Sequence, residues 1–248
     1  MTLLPTDPPL IDVVMPVFNA EPFLDVAIRS ILAQTHHPLR LLICDDQSTD
    51  GSYQTACHWA SRDPRIVVQR NQARLGPVGN SNAAAAMANT IFVARMDADD
   101  VAMPDRLARQ LALMIAHPDC PLVGSMFAMI DQTGTIMRTV TLRKIRGQIS
   151  TFAHASMFYR RSSFEQAGGY LAGTEYFEDI DLYRRMRLLG PVLVINAPLI
   201  HVRFAGQHAR LRDDAGKVED AVNLYHAAGP IDMTVERRIA PDVFFMLA

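Results

Sequence analysis

"IFVARMDADD", Ile91 to Asp100, is the stretch on which the reading of this chain turns. An apolar run suited to a strand buried on both faces, Ile91–Met96, leads straight into Asp97, Asp99 and Asp100. In open parallel sheets ligands gather at the carboxyl ends of the strands. Carboxylates crowded at such an edge repel one another unless something cationic sits between them. A second run, "LRLLICDD", closes in the same way on Asp45 and Asp46. In an extended chain Asp97 and Asp99 would project from one side, with Ala98 turned away. Hard oxygen ligands of this kind suit Mg²⁺ or Mn²⁺, which keep waters and bind phosphates as well. The plain alternative for any one of these acids is a helix cap or a solvated loop residue.

Working outward, strand-like and helix-like patterns alternate through the first half. Ile11–Val14 is a β-branched run, and Leu24, Ala27, Ile28, Ile31 and Leu32 then recur at helical spacing behind Pro22. The patterns predict a helix over 53–61, a strand at Ile66–Val68 and a small-residue helix in "GNSNAAAAMAN". Pro104 opens an amphipathic helix carrying Leu107, Leu111, Met114 and Ile115. Repeated strand–helix units imply a mainly parallel α/β sheet covered on both faces. After residue 120 the style changes. "LVGSMFAMIDQTGTIMRTV" reads as two strands around a Thr-Gly turn, "HASMFYRR" as a strand and "EDIDLYRRMRLL" as a helix. Met126, Met129 and Met137 read as core filler.

Bulk properties narrow the classes. With 248 residues, 49% hydrophobic and 20% charged, the chain can bury one sizeable core. A formal net charge of -2 offers no global basic field for nucleic acid. Cys44, Cys57 and Cys120 form no even framework and no C-x-x-C pair, which points to reduced thiols and a cytoplasmic setting. "MTLLPTDPPL" lacks the charged and apolar regions of a signal peptide, and no run reaches the roughly 20 apolar residues of a membrane span. Arg138, Arg143, Lys144 and Arg146 form a basic patch, either a solvated face or a peripheral contact with anionic membrane or phosphate.

The segments "VVMPVFNAEPFLDVAIRSILAQT", "CDDQSTDGS", "RLGPVGNSNAAAAMA", "ARMDADD", "HASMFYRRSSFEQAGGY" and "EDIDLYRRM" stand in a telling order and spacing. Together they resemble the family-two glycosyltransferases of GT-A fold, over about Ile11 to Leu193. The resemblance implies a Rossmann-like, mainly parallel central sheet flanked by helices, with a small mixed acceptor-side region. It implies a flexible N-terminus at 1–10, a nucleotide-sugar-binding half at 11–120 and an acceptor-binding, catalytic half at 121–204. Residues 205–248 would form a C-terminal extension.

The activity implied is transfer of a sugar, with inversion, from a nucleotide diphosphate sugar (UDP by default) to an acceptor hydroxyl. The acceptor would be a saccharide, a lipid-linked saccharide or a protein, and bacterial surface polysaccharide assembly is the common setting. By the same resemblance Pro16, Phe18 and Glu21 edge the nucleotide pocket, Asp46 receives a hydrogen bond from the base, and Arg74 and Gly76 close around the nucleotide. Asp97 would contact the ribose and Asp99 would hold Mg²⁺ or Mn²⁺, with Asp97 and His201 as further metal candidates. Asp179 would be the general base. His154 and Glu178 would lie on the acceptor side, and Arg203 is a candidate partner of the diphosphate.

Structural roles stand beside these: a helix cap for Asp179, and satisfied core histidines for His154 and His201. A sugar nucleotidyltransferase would want a glycine-rich, basic loop after the first strand, and "MPVFNAEPF" has neither. A phospho-receiver module would be about half this length and would need a lysine beyond the acids. A catalytically degenerate sugar-binding relative would have no use for the retained D-A-D and E-D pairs. The absence of a Q-x-x-R-W motif argues against a processive synthase.

Overall fold

The computed structural model describes residues 9–140, 152–175, 177–204, 234–240 and 243–247, the last two segments as backbone. In the first half β1 (Ile11–Val17), α1 (Glu21–Leu32), β2 (Leu39–Asp45), α2 (Ser52–Ala60), β3 (Ile66–Arg70), α3 (Gly76–Ala86) and β4 (Phe92–Arg95) alternate. Their strands lie in the order β3-β2-β1-β4, all parallel. The register sets Val17 beside Asp45 and Asp45 beside Arg70. Three strand ends therefore meet at one edge. Just beyond it, Asp46 N–H donates to Val17 O and Asn71 N–H to Asp45 O.

The strands are apolar throughout because both faces are covered. Alternate residues feed two cores. Val13, Met15, Leu41, Ile43 and Ala94 pack with Leu24, Ile28 and Ile31 of α1. Val14, Leu42, Cys44 and Val93 pack with Val78, Ala84 and Ala85 of α3. The run of small residues in α3 lets that helix lie close over the sheet. One charge is buried inside β1: Asp12 receives Arg40 bidentately at 2.8 and 2.9 Å and the backbone N–H groups of Asn89 and Thr90. That arrangement ties the start of β1 to the turn before β4.

The second half comprises β5 (Val101–Ala102), α4 (Arg106–Ala116), β6 (Leu122–Ile130), β7 (Ile136–Val140), β8 (Phe158–Arg160), α5 (Arg161–Gln166), α6 (Glu178–Arg187) and β9 (Val192–Arg203). Here pairing is mixed. β8 runs antiparallel between β4 and β6, while β6 and β9 are parallel. β10 (Thr234–Ala240) and β11 (Val243–Leu247) form an antiparallel pair that extends the sheet beyond β9. So the apolar tail "VFFML" docks as a strand. Helix α4 closes the first core with Leu107, Leu111 and Met114, each worth about 2–5 kcal/mol if truncated to alanine. Its Arg106 is wholly buried, donating to Arg95 O at 2.7 Å and Gln110 Oε1 at 3.1 Å.

Several local expectations change. β4 ends at Arg95, and Ala98–Asp99 form a turn in which Asp100 N–H approaches Asp97 O at 3.4 Å. The Asp-Ala-Asp segment is thus not extended, as aspartate-rich chemistry favours turns. In "HASMFYRR" only Phe158–Arg160 is strand, and His154–Ser156 is a 3-10 turn. Ser156 Oγ donates to Ala153 O and accepts from Ser125 N–H, a local bonding pattern that competes with strand pairing. His201 lies within β9 rather than after a strand. Met126 is buried, but Met137 is 60% exposed. Arg138 is exposed on β7, whereas Arg143, Lys144 and Arg146 lie outside the described residues, as does residues 1–8 of the expected flexible N-terminus.

Candidate active site

The first cleft opens at the carboxyl edge of β1 and β2. Pro16, Phe18, Asp46, Arg74 and Gly76 line it, around a volume of about 170 Å³, together with Arg95. Five of the residues expected on the nucleotide side therefore converge. Asp46 is buried, and its carboxylate accepts Leu75 N–H at 2.8 Å, Gly76 N–H at 2.9 Å and Asn71 Nδ2 at 2.8 Å. Gly76 has φ +76°, a left-handed turn that suits glycine and points consecutive N–H groups at Asp46. A carboxylate has about four acceptor positions, so Asp46 keeps capacity for a further donor. The Arg74 guanidinium lies 3.9 Å from the Phe18 ring centroid, stacking a cation on the aromatic wall. Glu21 is not brought into this cleft. Its carboxylate receives Gly51 N–H at 2.9 Å and joins α1 to the start of α2.

Of the acids after β4, Asp97 and Asp100 line a second cleft, which Arg95 links to the first. Arg95, buried at 7% exposure, grips Asp97 through Nε at 3.0 Å and the neighbouring amine at 2.9 Å. Asp100 is buried and accepts the Arg203 backbone N–H at 2.8 Å. Burial, then the charges of Asp97 and Asp99, push its pKa well above the usual carboxylate range. Burial and Asp97 push Asp99 up to about 6. Arg106 is drawn down to about 10 by burial, against the pull of Asp97 and Asp100. Burial and crowding thus disfavour the charged forms of Asp99 and Asp100, with Arg95, Arg106 and Arg203 packed around the turn.

Asp97, Asp100, Phe127, His154 and Asp179 line the second cleft, of about 230 Å³. Asp179 comes from the first turn of α6, a helix whose acids (Glu178, Asp179, Asp181) and bases (Arg184, Arg185, Arg187) sit at the dipole ends that favour them. Its Oδ1 accepts Ile180 N–H at 2.8 Å. Burial and then the adjacent Glu178 outweigh that bond and lift Asp179 to about 6. Glu178 is partly buried and acts on the site through its charge. The His154 Nε2 lies 2.8 Å from the Tyr170 hydroxyl, and burial, then Arg95, hold its pKa well below the ordinary value.

Two residues are placed differently from expectation. His201 pairs in register with Val101 and Ala128 within the sheet, and burial lowers its pKa. It is absent from the lining of both clefts. Arg203 donates through Nε to Asp99 O at 2.8 Å and through Nη1 to Asp131 O and Gln132 O, and stacks on Phe23. Its guanidinium braces the acidic turn through backbone carbonyls.

The donor set at the turn fits a hard divalent cation. Two partly buried carboxylates, Asp97 and Asp99, sit at the turn, where burial and the charge of Asp97 already disfavour the charged form of Asp99. Among the described residues no three His, Cys, Asp or Glu side chains are grouped around one point. An ion held there would take one or two carboxylates plus water and phosphate oxygens, the usual habit of Mg²⁺.

Reading the sequence missed Arg95, Tyr170, Asn71 and Asn82. Arg95 had a signal, being the one charge inside an otherwise apolar strand; a buried charge needs a specific partner. Tyr170 followed a Gly-Gly pair whose positive φ values, 82° and 64°, mark a built turn. The asparagines carried no such mark.

Residues 12–168 match the family described as "Glycosyl transferase family 2". EpsE of Bacillus subtilis (strain 168), which bears the name of a glycosyltransferase, is 31% identical over 227 residues, covering 88% of this chain and 82% of that protein. WfgD of Escherichia coli, named as "UDP-Glc:alpha-D-GlcNAc-diphosphoundecaprenol beta-1,3-glucosyltransferase", is 30% identical over 136 residues. That match covers 55% of this chain and only 53% of WfgD.

Among solved structures, the mannosyltransferase PcManGT of Pyrobaculum calidifontis, in complex with GDP-Man and Mn²⁺, superposes with a TM-score of 0.68 at 19% identity. It covers 92% of this chain and 68% of that one. TarS 1-349 of S. aureus, in complex with UDP-GlcNAc, gives 0.64 at 16% identity, covering 79% of this chain and 58% of that one. The mixed, mostly parallel sheet flanked by helices is therefore the GT-A fold of these glycosyltransferases. With residues 12–168 of its 248 matched to the family, the chain is an enzyme of glycosyl transferase family 2.

Proposed function

We propose that this enzyme transfers a sugar, with inversion, from a nucleotide diphosphate sugar to an acceptor hydroxyl. The observation behind the reading is a pair of clefts linked by the ion pair of Arg95, which lines the first, with Asp97, which lines the second. One is lined by Phe18, Asp46 and Arg74, the other by His154 and Asp179, and Asp97 borders the second. The nucleotide would lie in the first, its base against Phe18 and Arg74 and within reach of the remaining acceptor capacity of Asp46. Asp97 would meet the ribose.

Asp99, with Asp97 beside it, would hold Mg²⁺ or Mn²⁺. A bound cation of this kind neutralises charge that develops on a leaving diphosphate. Asp179 takes the proton of the acceptor hydroxyl, whose oxygen bonds to the anomeric carbon as the bond to the diphosphate breaks. One step then inverts that carbon without an enzyme nucleophile. A carboxylate with a pKa near 6 is well matched to this task at neutral pH.

WfgD's name, with its UDP-Glc donor and diphosphoundecaprenol-linked acceptor, supports a UDP-sugar and a lipid-linked saccharide as the first substrates to test. Work at the cytoplasmic face of a membrane, in bacterial surface polysaccharide assembly, would follow from such an acceptor. No helix among the described residues is long and apolar enough to cross a membrane, so contact would be peripheral or through other segments.

Calorimetry with UDP, GDP and dTDP, each with and without Mn²⁺, tests the reading on wild type and Asp99→Asn. Expected is metal-dependent binding of one nucleotide, weakened about tenfold or more in the variant. Absence of binding for every nucleotide, with or without metal, would overturn it in favour of a degenerate relative.

A further inference from the structure

Two side chains outside the expected site, Arg95 and Tyr170, connect its two clefts by way of His154. Arg95 lines the first cleft, and its Nη1 donates to Ser81 Oγ at 3.0 Å and to the Tyr170 hydroxyl at 3.3 Å. The Tyr170 hydroxyl lies 2.8 Å from Nε2 of His154, which lines the second cleft. Tyr170 itself is firmly held. Asn82 of α3 donates to its carbonyl at 2.8 Å and accepts its N–H at 3.0 Å. Its ring meets Phe164 edge-on at 5.5 Å. A Cβ on Gly169 would come within 2.9 Å of Asn82 Oδ1, so the Gly-Gly turn is needed for this approach.

The direction of the hydrogen bonds follows from counting protons. Arg95 can only donate, so the Tyr170 oxygen accepts from it. Tyr170 is 4% exposed, and a buried hydroxyl proton needs an acceptor. Among the described residues the acceptor at hand is His154 Nε2. Nε2 is then the bare nitrogen, and the proton of the neutral ring sits on Nδ1. Burial and the nearby Arg95 cation both favour that neutral ring.

We propose that Arg95 and Tyr170 are positioning residues that lock His154 in its Nδ1–H form, so that it donates a hydrogen bond to a saccharide oxygen in the second cleft. This rests on the transfer reaction proposed above. Through Asp97, which the same guanidinium grips, Arg95 orients a donor-side carboxylate and an acceptor-side donor together. His154 in this form is a fixed donor and leaves proton abstraction to Asp179.

The test is ¹⁵N spectroscopy of the histidine-labelled full chain, with His154 assigned by its loss in His154→Asn. In wild type Nδ1 should carry the proton and Nε2 should be bare. Tyr170→Phe keeps the ring packing and removes only the hydroxyl. It should shift His154 toward the Nε2–H form and lower kcat roughly tenfold, one hydrogen bond's worth, with nucleotide Kd unchanged. Asparagine places an amide near Nδ1 and glutamine near Nε2. His154→Asn should therefore retain more activity than His154→Gln. A protonated Nε2 in wild type, a His154 spectrum indifferent to Tyr170→Phe, or a glutamine variant as active as the asparagine one would overturn the proposal. A wild type that transfers no sugar would instead overturn the reaction on which it rests, and the spectra would still decide the tautomer.

Discussion

Asp46, buried, and Asp179, partly buried, each line a cleft of the same sheet, and their surroundings differ. Asp46 sits in a cage of donors, two backbone N–H groups and the Asn71 amide, that pins the loop 71–76 over the first cleft. Asp179 accepts from Ile180 N–H, but burial and Glu178 dominate and its pKa rises to about 6. At Asp46 the parallel half satisfies its charge in advance, which on the proposed reading preorganises it to bind. At Asp179 the mixed half holds charge at a cost in stability, which on the proposed reading suits a proton acceptor.

The contrast breaks most visibly at Asp179. Asp179→Asn should lower kcat by about 10³-fold, within the span of general-base catalysis, while nucleotide Kd stays within about twofold. Transfer assays beside calorimetry would check it, and an equal loss in both would erase the distinction between the halves. The pH dependence follows with a definite sign. In wild type, kcat/KM should be flat above about pH 6 and fall about tenfold per unit below it, as the base takes up its proton.

For stability the order is reversed. The folded state protonates Asp179 near 6, whereas the unfolded carboxyl waits until about 3.8, so this group's contribution becomes more favourable as pH falls between those values. Denaturant titration at pH 7.5 should find Asp179→Asn more stable than wild type by on the order of 1–2 kcal/mol.

Asp46→Ala attacks the other half. It leaves Leu75 and Gly76 N–H groups and the Asn71 amide without their acceptor, so stability should fall by about 2–4 kcal/mol. Nucleotide affinity should fall with it by at least roughly tenfold, since the loop is released. A variant of full stability would show that the cage is dispensable. The smallest effect is expected at Glu21→Gln. Its carboxylate bonds Gly51 N–H at an exposed site away from both clefts, so stability should change by less than about 1 kcal/mol and Kd not at all. A clear loss of nucleotide affinity there would extend the donor site around the start of α1.

Legibility follows the same divide. The donor-side elements could be read because each is a local pattern: Leu24, Ile28 and Ile31 at helical spacing, or β1 and β2 apolar along their length. The acids at the strand ends were legible for the same reason. Less legible was the bend at Ala98–Asp99, which is braced from 104 residues away by Arg203. Arg203 and Glu21 stood in suggestive places yet spend their groups on backbone carbonyls and on Gly51. The strand expected through His154 became a 3-10 turn because Ser156 found backbone partners across to Ser125.

From its sequence alone this chain declared an α/β sheet with acids at the strand ends, and motifs in the order of one glycosyltransferase family. Hydrophobic period and strand-end chemistry are properties of neighbouring residues, so a linear reading reaches them. Tertiary structure decided which acids are caged and which are held against their charge, and it joined Arg95 to Tyr170 across 75 positions. Burial and register determine these things, and both arise only when distant segments share one low-dielectric interior.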